Sequence, residues 1–302
     1  MKKIVRKRKP MSKVNKISLT IISILFIIQL LSVMLPPIWM ILTAFRDTID
    51  YFIAEFGWPN PWVLDNFKTV LPLLNFSRYV TGVGIVNYSL FDMYKTSFIW
   101  SFGVAFVATF WYALCGYVFA KYKFPGKELL YGIGIFVMIA PIVGGLTSGL
   151  VVYKRLGVYD NMLVQILLGP GCSFSGGTFL IFYAMFKGIP WDYAEAGFID
   201  GAGHVRVAIQ LMFPHIAGFW FVQFLLAFLG QWNNYEIYMT MLPSYANLAY
   251  GMFLFQNDAS SYGATPPQVM AGFLYVCIPT TIIYLCCSKV IITKATAGGL
   301  KG

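Results

Sequence analysis

Six long runs of apolar residues alternate with polar segments along the chain, at about 17-45, 97-120, 129-153, 161-186, 208-235 and 268-292. Each reaches the roughly 20 mainly apolar residues that a helix needs to cross a hydrocarbon core about 30 Å thick. Helices suit such runs because lipid offers no hydrogen-bond partner to an open backbone. The pattern therefore predicts an all-α, polytopic membrane protein with six transmembrane helices. Residues 1-16 stand before them as a basic N-terminus, and 17-302 are expected to form one transmembrane domain. The first run is too long for the apolar core of a signal peptide and lacks a small-x-small cleavage site, so it is expected to be a retained helix.

The distribution of charge orients these helices, since Lys and Arg near helix ends stay on the cytoplasmic side. Sixteen of the 22 Lys/Arg fall on one side: eight within residues 1-16, then Lys121, Lys123, Lys127, Lys187, Arg206, Lys289, Lys294 and Lys301. The other side holds Arg46, Lys68, Arg78, Lys95, Lys154 and Arg155, and the stretch 236-267 has neither residue. Both termini and the loop at 190-207 are thus expected in the cytoplasm, with outer loops at about 46-95 and 236-267. Topology and contact with anionic membrane lipids account for the net charge of +10, and nucleic acid is not an expected partner.

Only 11% of the residues are charged, and no Asp, Glu, Lys or Arg is predicted at membrane depth, Lys289 standing near the cytoplasmic end of the last run. An ion-coupled carrier needs such groups for its relay. His215, beside Pro214, is the one candidate and is better placed to pack at the interface. A membrane enzyme would need nucleophiles, bases or metal ligands, yet the chain has two histidines, His204 and His215, and Cys115, Cys172, Cys277, Cys286 and Cys287 show no ligand spacing. No phosphate-cradling GxxxxGK[ST] loop is present, since Gly126-Lys127 runs into Glu128. Driving energy must come from outside the chain.

Several runs contain helix-disrupting residues: Pro36 and Pro37 in the first, Pro141, Gly144 and Gly145 in the third, and Gly169, Pro170, Gly171, Gly176 and Gly177 in the fourth. Such breaks are tolerated where helices line a cavity or pack within protein. A path-lining role and a structural kink both remain open for the fourth. At the end of the fifth run, LGQWNNYEIY (229-238) mixes aromatic and amide groups. Trp232, Asn233, Asn234 and Tyr235 have the chemistry to stack on sugar faces and bond sugar hydroxyls, while an interfacial belt explains the two rings equally simply. Trp58 and Trp62 likewise fit an interfacial anchor or a surface that receives a solute-binding protein.

The polar island PWDYAEAGFIDGAGHVRVAIQLMFP (190-214) is the most informative segment. Asp192 followed by Glu195 predicts a capping box at the start of a short helix, and Gly201 and Gly203 predict its end. A helix with small side chains, held outside the bilayer, is a docking surface.

This island resembles the Glu-Ala-Ala loop of permease subunits of ATP-binding-cassette importers. Glu195, Ala196, Gly197, Gly201, Leu211, Phe213 and Pro214 keep the family spacing, with Gly197, Leu211 and Phe213 as departures in residue type. Further pieces, LPPIWMILTAFR (35-46), YALCGYVFAKYKFPGK (112-127), LGQWNNY (229-235) and TAGGLKG (296-302), extend the resemblance over nearly the whole chain, toward carbohydrate-importer permeases of the maltose-permease second-subunit type. The resemblance implies a coupling helix that contacts a separate ATPase through Glu195, Ala196, Gly197, Asp200 and Gly201, with Arg206 as a neighbour. It implies a second homologous permease, two ATPase subunits that use ATP and Mg, an extracellular sugar-binding lipoprotein and a bacterial cell membrane. No cofactor is expected in this chain, and its substrate is expected to be an oligosaccharide. A non-sugar importer permease is the nearest alternative.

Overall fold

The structure, a computed structural model, describes residues 13–140, 145–169, 173–259 and 261–299. The basic residues 1–12, Pro141, Gly144, Pro170, Gly171, Cys172 and Lys301 lie outside the described residues, as do the side chains of Lys289 and Lys294. The chain is mostly helical and divides into two compact units, residues 1–70 with 263–274, and residues 71–262 with 275–302.

In the first unit, α1 (Lys13–Ala44) runs unbroken through Pro36 and Pro37, where disruption was expected. Proline is tolerated inside a membrane-type helix where the surrounding backbone adjusts locally to satisfy the groups it frees. The Ile, Leu and Phe side chains of α1 are exposed as far as Ile41, which suits a helix whose surroundings are apolar. Its C-terminal end closes on a polar knot. Arg46 is buried there, donating from Nε to Asp50 Oδ2 at 2.8 Å and from Nη1 to the Glu55 carbonyl at 3.0 Å. Asn66 Nδ2 donates to the carbonyls of Ala44 (3.0 Å) and Arg46 (2.8 Å). A buried cation paired this fully fixes the turn into α2 (Thr48–Ile53) and the start of α3 (Asp65–Leu73).

The second unit opens with an all-antiparallel hairpin, β1 (Phe76–Val80) and β2 (Gly84–Tyr88), paired Phe76↔Tyr88 through Val80↔Gly84. Gly82 and Gly84 take the positive φ that its turn requires. The hairpin qualifies the all-α expectation, and α2 and α3 occupy much of the remaining segment expected as an outer loop. The second apolar helix, α4 (Leu90–Lys121), begins seven residues before the expected boundary because Ser89 caps it, its side chain accepting from Asp92 N at 3.1 Å.

The third and fourth apolar runs are not single helices. They form α5 (Lys127–Ile139) with α6 (Gly145–Arg155), and α7 (Met162–Leu168) with α8 (Gly177–Lys187). Each piece is shorter than a bilayer crossing, and the glycines and prolines between them explain the breaks. Among the described residues, four helical stretches are long and apolar enough to cross a membrane: Asn15–Ala44, Leu90–Lys121, His204–Trp232 and Pro266–Ser288. The last two belong to the elements α10 (His204–Val207), a π-helical turn (Ala208–Met212) and α11 (Phe213–Trp232), and to α14 (Pro266–Gly299). Between them lie α12 (Glu236–Thr240) and α13 (Leu248–Asp258).

α4 is the spine of this unit, packing against α7, α8, α11 and α13. Glycines permit the approach: a Cβ at Gly116 would lie 2.8 Å from Phe182 Cβ and 2.9 Å from Tyr183 N on α8, and one at Gly103 would lie 2.9 Å from Ile166 of α7. One core cluster gathers Trp100, Val104, Phe228, Trp232 and Tyr238; a second gathers Ala113, Tyr117, Phe182, Phe186, Met212 and Ile216, and also takes in Ala194 and Val207 from the polar island.

Candidate coupling site and translocation segment

The island 190-207 folds as the short helix α9 (Asp192–Ile199), a glycine-containing turn and α10. The expected capping box does not form. Trp191 holds the cap position in a helical conformation without a side-chain cap bond, and Asp192 is the first helical residue. Asp192 and Glu195 therefore act on the positive end of the helix through charge alone. Its other end forms as expected at one glycine and not at the other. Gly201 has φ +79°, with Gly201 N donating to the Phe198 carbonyl at 3.0 Å and Ala202 N to that of Gly197 at 2.9 Å, the paired bonds of a Schellman turn. Gly203 instead opens α10, at φ −76°.

Burial along α9 separates the candidate residues into two sets. Glu195, Ala196, Asp200, Gly201 and Arg206 are exposed, whereas Gly197 is buried with Ala194. A Cβ on Gly197 would sit 2.6 Å from Leu211 Cδ1 and 3.1 Å from Val207 Cγ2, so the missing side chain lets α9 seat on the π-helical turn, while Gly197 also borders the cleft that opens beside the helix. The carboxylates of Asp192, Glu195 and Asp200 form no ion pair or side-chain hydrogen bond among the described residues. Arg206 Nε donates to Gln210 Oε1 at 2.9 Å. A cleft of about 470 Å³ opens beside the helix, lined by Pro190, Asp192, Tyr193, Ala196, Asp200 and Leu211. Ile199, 85% exposed, and Val205, 73% exposed, add apolar contact surface.

A ring cluster roots this segment in the membrane helices. Trp191 meets Tyr122 at 5.9 Å and Phe198 at 6.1 Å, Phe198 meets His204 at 4.8 Å, and the Tyr122 hydroxyl lies 3.1 Å from His204 Nδ1. Lys121 Nζ donates to the Ile189 carbonyl. His215 packs on Tyr193 at 5.0 Å and donates from Nδ1 to the Leu211 carbonyl at 2.6 Å, the packing role expected of it. Trp191, Phe198 and Tyr122 escaped sequence reasoning because aromatic residues beside an apolar helix carry no signal that distinguishes a brace from an interfacial anchor.

The segment 229-238 is not one open aromatic site. Trp232 is a core residue, 3% exposed, with its ring on Phe228 at 5.6 Å; its place on the inward face of the last turn of α11 rules it out as an open stacking platform. Asn233 is exposed but bonds its own helix, Nδ2 to the Leu229 carbonyl at 3.0 Å. Tyr235 stacks on Phe253 at 4.8 Å. Asn234 is half-buried, and its carbonyl accepts from Asn247 Nδ2 at 3.0 Å. Asn247 also donates to the Trp232 carbonyl at 3.2 Å and caps α13 by accepting from Tyr250 N at 2.8 Å, so a residue outside the motif fixes the backbone of the whole turn.

The site is thus a short, exposed helix braced against a bundle of apolar helices. The family model of the binding-protein-dependent transport system inner membrane component matches residues 112–287. The chain belongs to that family and is a multi-pass membrane subunit of a transport system. It is similar to the diacetylchitobiose uptake system permease protein NgcG of Streptomyces coelicolor, 22% identical over 277 residues, covering 91% of this chain and 85% of that protein. The probable starch degradation products transport system permease protein AmyC of Thermoanaerobacterium thermosulfurigenes is 24% identical over 283 residues, 91% of this chain and 97% of that protein. A solved chain from a bacterial ABC transporter involved in the import of the acidic polysaccharide alginate shares the fold, with a TM-score of 0.71 at 17% identity over 93% of this chain and 99% of that one.

Proposed function

We propose that this chain is the permease subunit of an ATP-driven, binding-protein-dependent importer of oligosaccharides in a bacterial cell membrane. It forms half of a translocation path with a second, homologous permease, and two ATPase subunits supply the ATP and Mg chemistry. An extracellular sugar-binding lipoprotein delivers the substrate. The single observation that carries the reading is α9, whose uncommitted carboxylates and small residues face outward while its other face is braced to α4 and α11. Movement of a docked ATPase is thereby delivered to the membrane helices as a rigid push. Similarity to permeases named for oligosaccharide uptake supports the substrate class. On this reading the chain crosses the membrane six times, the third and fourth crossings being made by paired shorter helices, and both termini and α9 lie in the cytoplasm; the excess of Lys and Arg on that side supports the orientation.

The test is purification of the chain from its native membrane, with identification of its partners and assay of sugar-stimulated ATPase activity. Glu195→Ala should leave the complex assembled and lower the stimulation; Gly201→Asp should do the same at some cost in backbone strain, because a Cβ there meets nothing within 4 Å but φ is +79°, a region Asp enters only occasionally. Full stimulation in the Gly201→Asp complex would refute docking through this surface.

A further inference from the structure

On the opposite end of α4 from α9, a separate half-open cavity of about 300 Å³, with a mixed polar and apolar lining, lies between the end of β2, the first turns of α4, Met162 at the start of α7, and the turn before α13. Its lining includes Asn87, Asp92, Lys95, Thr96, Ser244 and Tyr245.

The groups that build its walls are committed to one another. The Tyr88 hydroxyl donates to the Pro243 carbonyl at 2.6 Å. Asp160 accepts from both the backbone N (3.0 Å) and the hydroxyl (2.5 Å) of Ser244, and Gln165 Nε2 donates to the carbonyls of Val158 and Met241, both at 3.1 Å. Asn75 Oδ1 accepts from Leu90 N at 2.9 Å, holding the first turn of α4. The cavity is thus shaped before anything enters it, which removes an ordering cost from binding.

Ser244 and Asp92 are committed within the fold, the latter accepting from Ser89, whereas four other residues of the lining keep polar groups open to the space. Thr20, Thr69, Thr109 and Thr240 each return the hydroxyl to the carbonyl four residues back in their helices. Thr96, also inside a helix, makes no such bond among the described residues. The Lys95 ammonium and the Tyr245 hydroxyl likewise bond no described residue, and Asn87 uses only its oxygen, accepting from Ser77 at 2.6 Å. Together they offer an ammonium, an amide NH₂, two hydroxyls and an aromatic ring, a set that satisfies a ligand rich in hydroxyl oxygens. Asp92 stands one turn before Lys95 in the same lining, with no ion pair between them among the described residues, and the presence of both charge signs favours a neutral ligand over an anionic one. The volume lies at the lower end of the roughly 300–1,000 Å³ usual for small-molecule sites and suits one sugar ring of a longer chain.

We propose that this cavity is an acceptance site for one neutral saccharide ring, built by Lys95, Thr96, Asn87 and Tyr245. It rests on the importer reading given above. Its occupant binds before translocation, at a point distinct from the 229-238 segment.

The experiment is saturation-transfer NMR on the complete complex in lipid nanodiscs without its binding protein. The probe is an equimolar mixture of maltotetraose, a galactotetraose, diacetylchitobiose and a uronic-acid tetramer. Transfer to a neutral sugar is expected, and the combined Lys95→Ala and Thr96→Val variant should weaken it about tenfold, the effect of removing two hydrogen-bonding groups. Neither side chain is used by the fold, so the variant should assemble normally. Equal transfer in wild type and variant, transfer to the uronate alone, or no transfer to any sugar overturns the site. Sugar-stimulated ATPase activity with the binding protein present separates the outcomes: if it persists while transfer is absent, the cavity assignment falls and the importer reading stands, and its absence with every neutral sugar refutes the importer reading instead.

Discussion

Enlarging the side chain at position 197 should detach α9 from its seat while leaving the exposed carboxylates of Glu195 and Asp200 unchanged. Gly197 lies within α9, so replacement by Ala gains up to about 1 kcal/mol of helix propensity. Against this, the new Cβ meets Leu211 Cδ1 at 2.6 Å and Val207 Cγ2 at 3.1 Å. Leu211 presents the far end of a flexible, half-buried side chain, which can rotate away, so Gly197→Ala should be near neutral. Gly197→Leu adds three further carbons to the same space and should carry the roughly 1–3 kcal/mol of an overpacked site, a 5- to 150-fold shift toward the unseated helix. Hydrogen exchange at amides 194–202 reads this directly, since opening of the seat exposes the bonds of α9 and its Schellman turn. Protection should fall by that factor in Gly197→Leu, and Leu211→Ala in the same chain should restore most of it by vacating the space. In the assembled complex, stimulated ATPase activity should follow the same order. Wild-type protection in Gly197→Leu, or no rescue by Leu211→Ala, would refute the seating argument.

Gly116→Ala should lower the thermal stability of the solubilised protein by about 1–3 kcal/mol, because its Cβ meets backbone atoms of α8 that have no freedom to rotate away; an unchanged melting temperature would contradict that packing. Asn247→Ala should cost roughly 2–4 kcal/mol in chemical denaturation through the lost cap and two unsatisfied carbonyls, with Asn247→Asp losing less because it keeps the cap. Burial, and then the neighbouring Tyr250, push the Tyr88 phenol up to about 12 from an ordinary 10.0, against the lowering effect of Arg78. Its neutral form therefore supports the hairpin fully below pH 10, and that support is lost as pH rises toward and through 12; an alkaline titration should show Tyr88→Phe with a shallower loss of stability over that window than wild type.

Hydropathy and the positions of Lys and Arg were readable along the chain because the transfer of a residue into lipid is a local property, nearly independent of what that residue later touches. The same holds for the island 190-214, whose glycines and carboxylates announce a short helix and its end at Gly201. Other features depended on partners distant in the chain. The seat under Gly197 exists because Leu211 and Val207 return beside it, and Trp232 is a core residue because it joins the cluster that also holds Trp100 of α4 and Tyr238 of α12. Arg46 and Asn247 have ordinary sequence surroundings and become hubs only where carbonyls from separate segments converge on them. The breaks in the third and fourth apolar runs were visible as Gly and Pro, yet proline in α1 left a continuous helix, so residue type alone did not decide which helices would be interrupted. Local free energies wrote the membrane class, the run lengths and the short helix of the 190-207 island into the sequence, whereas the division of that helix into an exposed and a seated face, and the cavity beside α4, were decided by contacts that only the folded chain brings together.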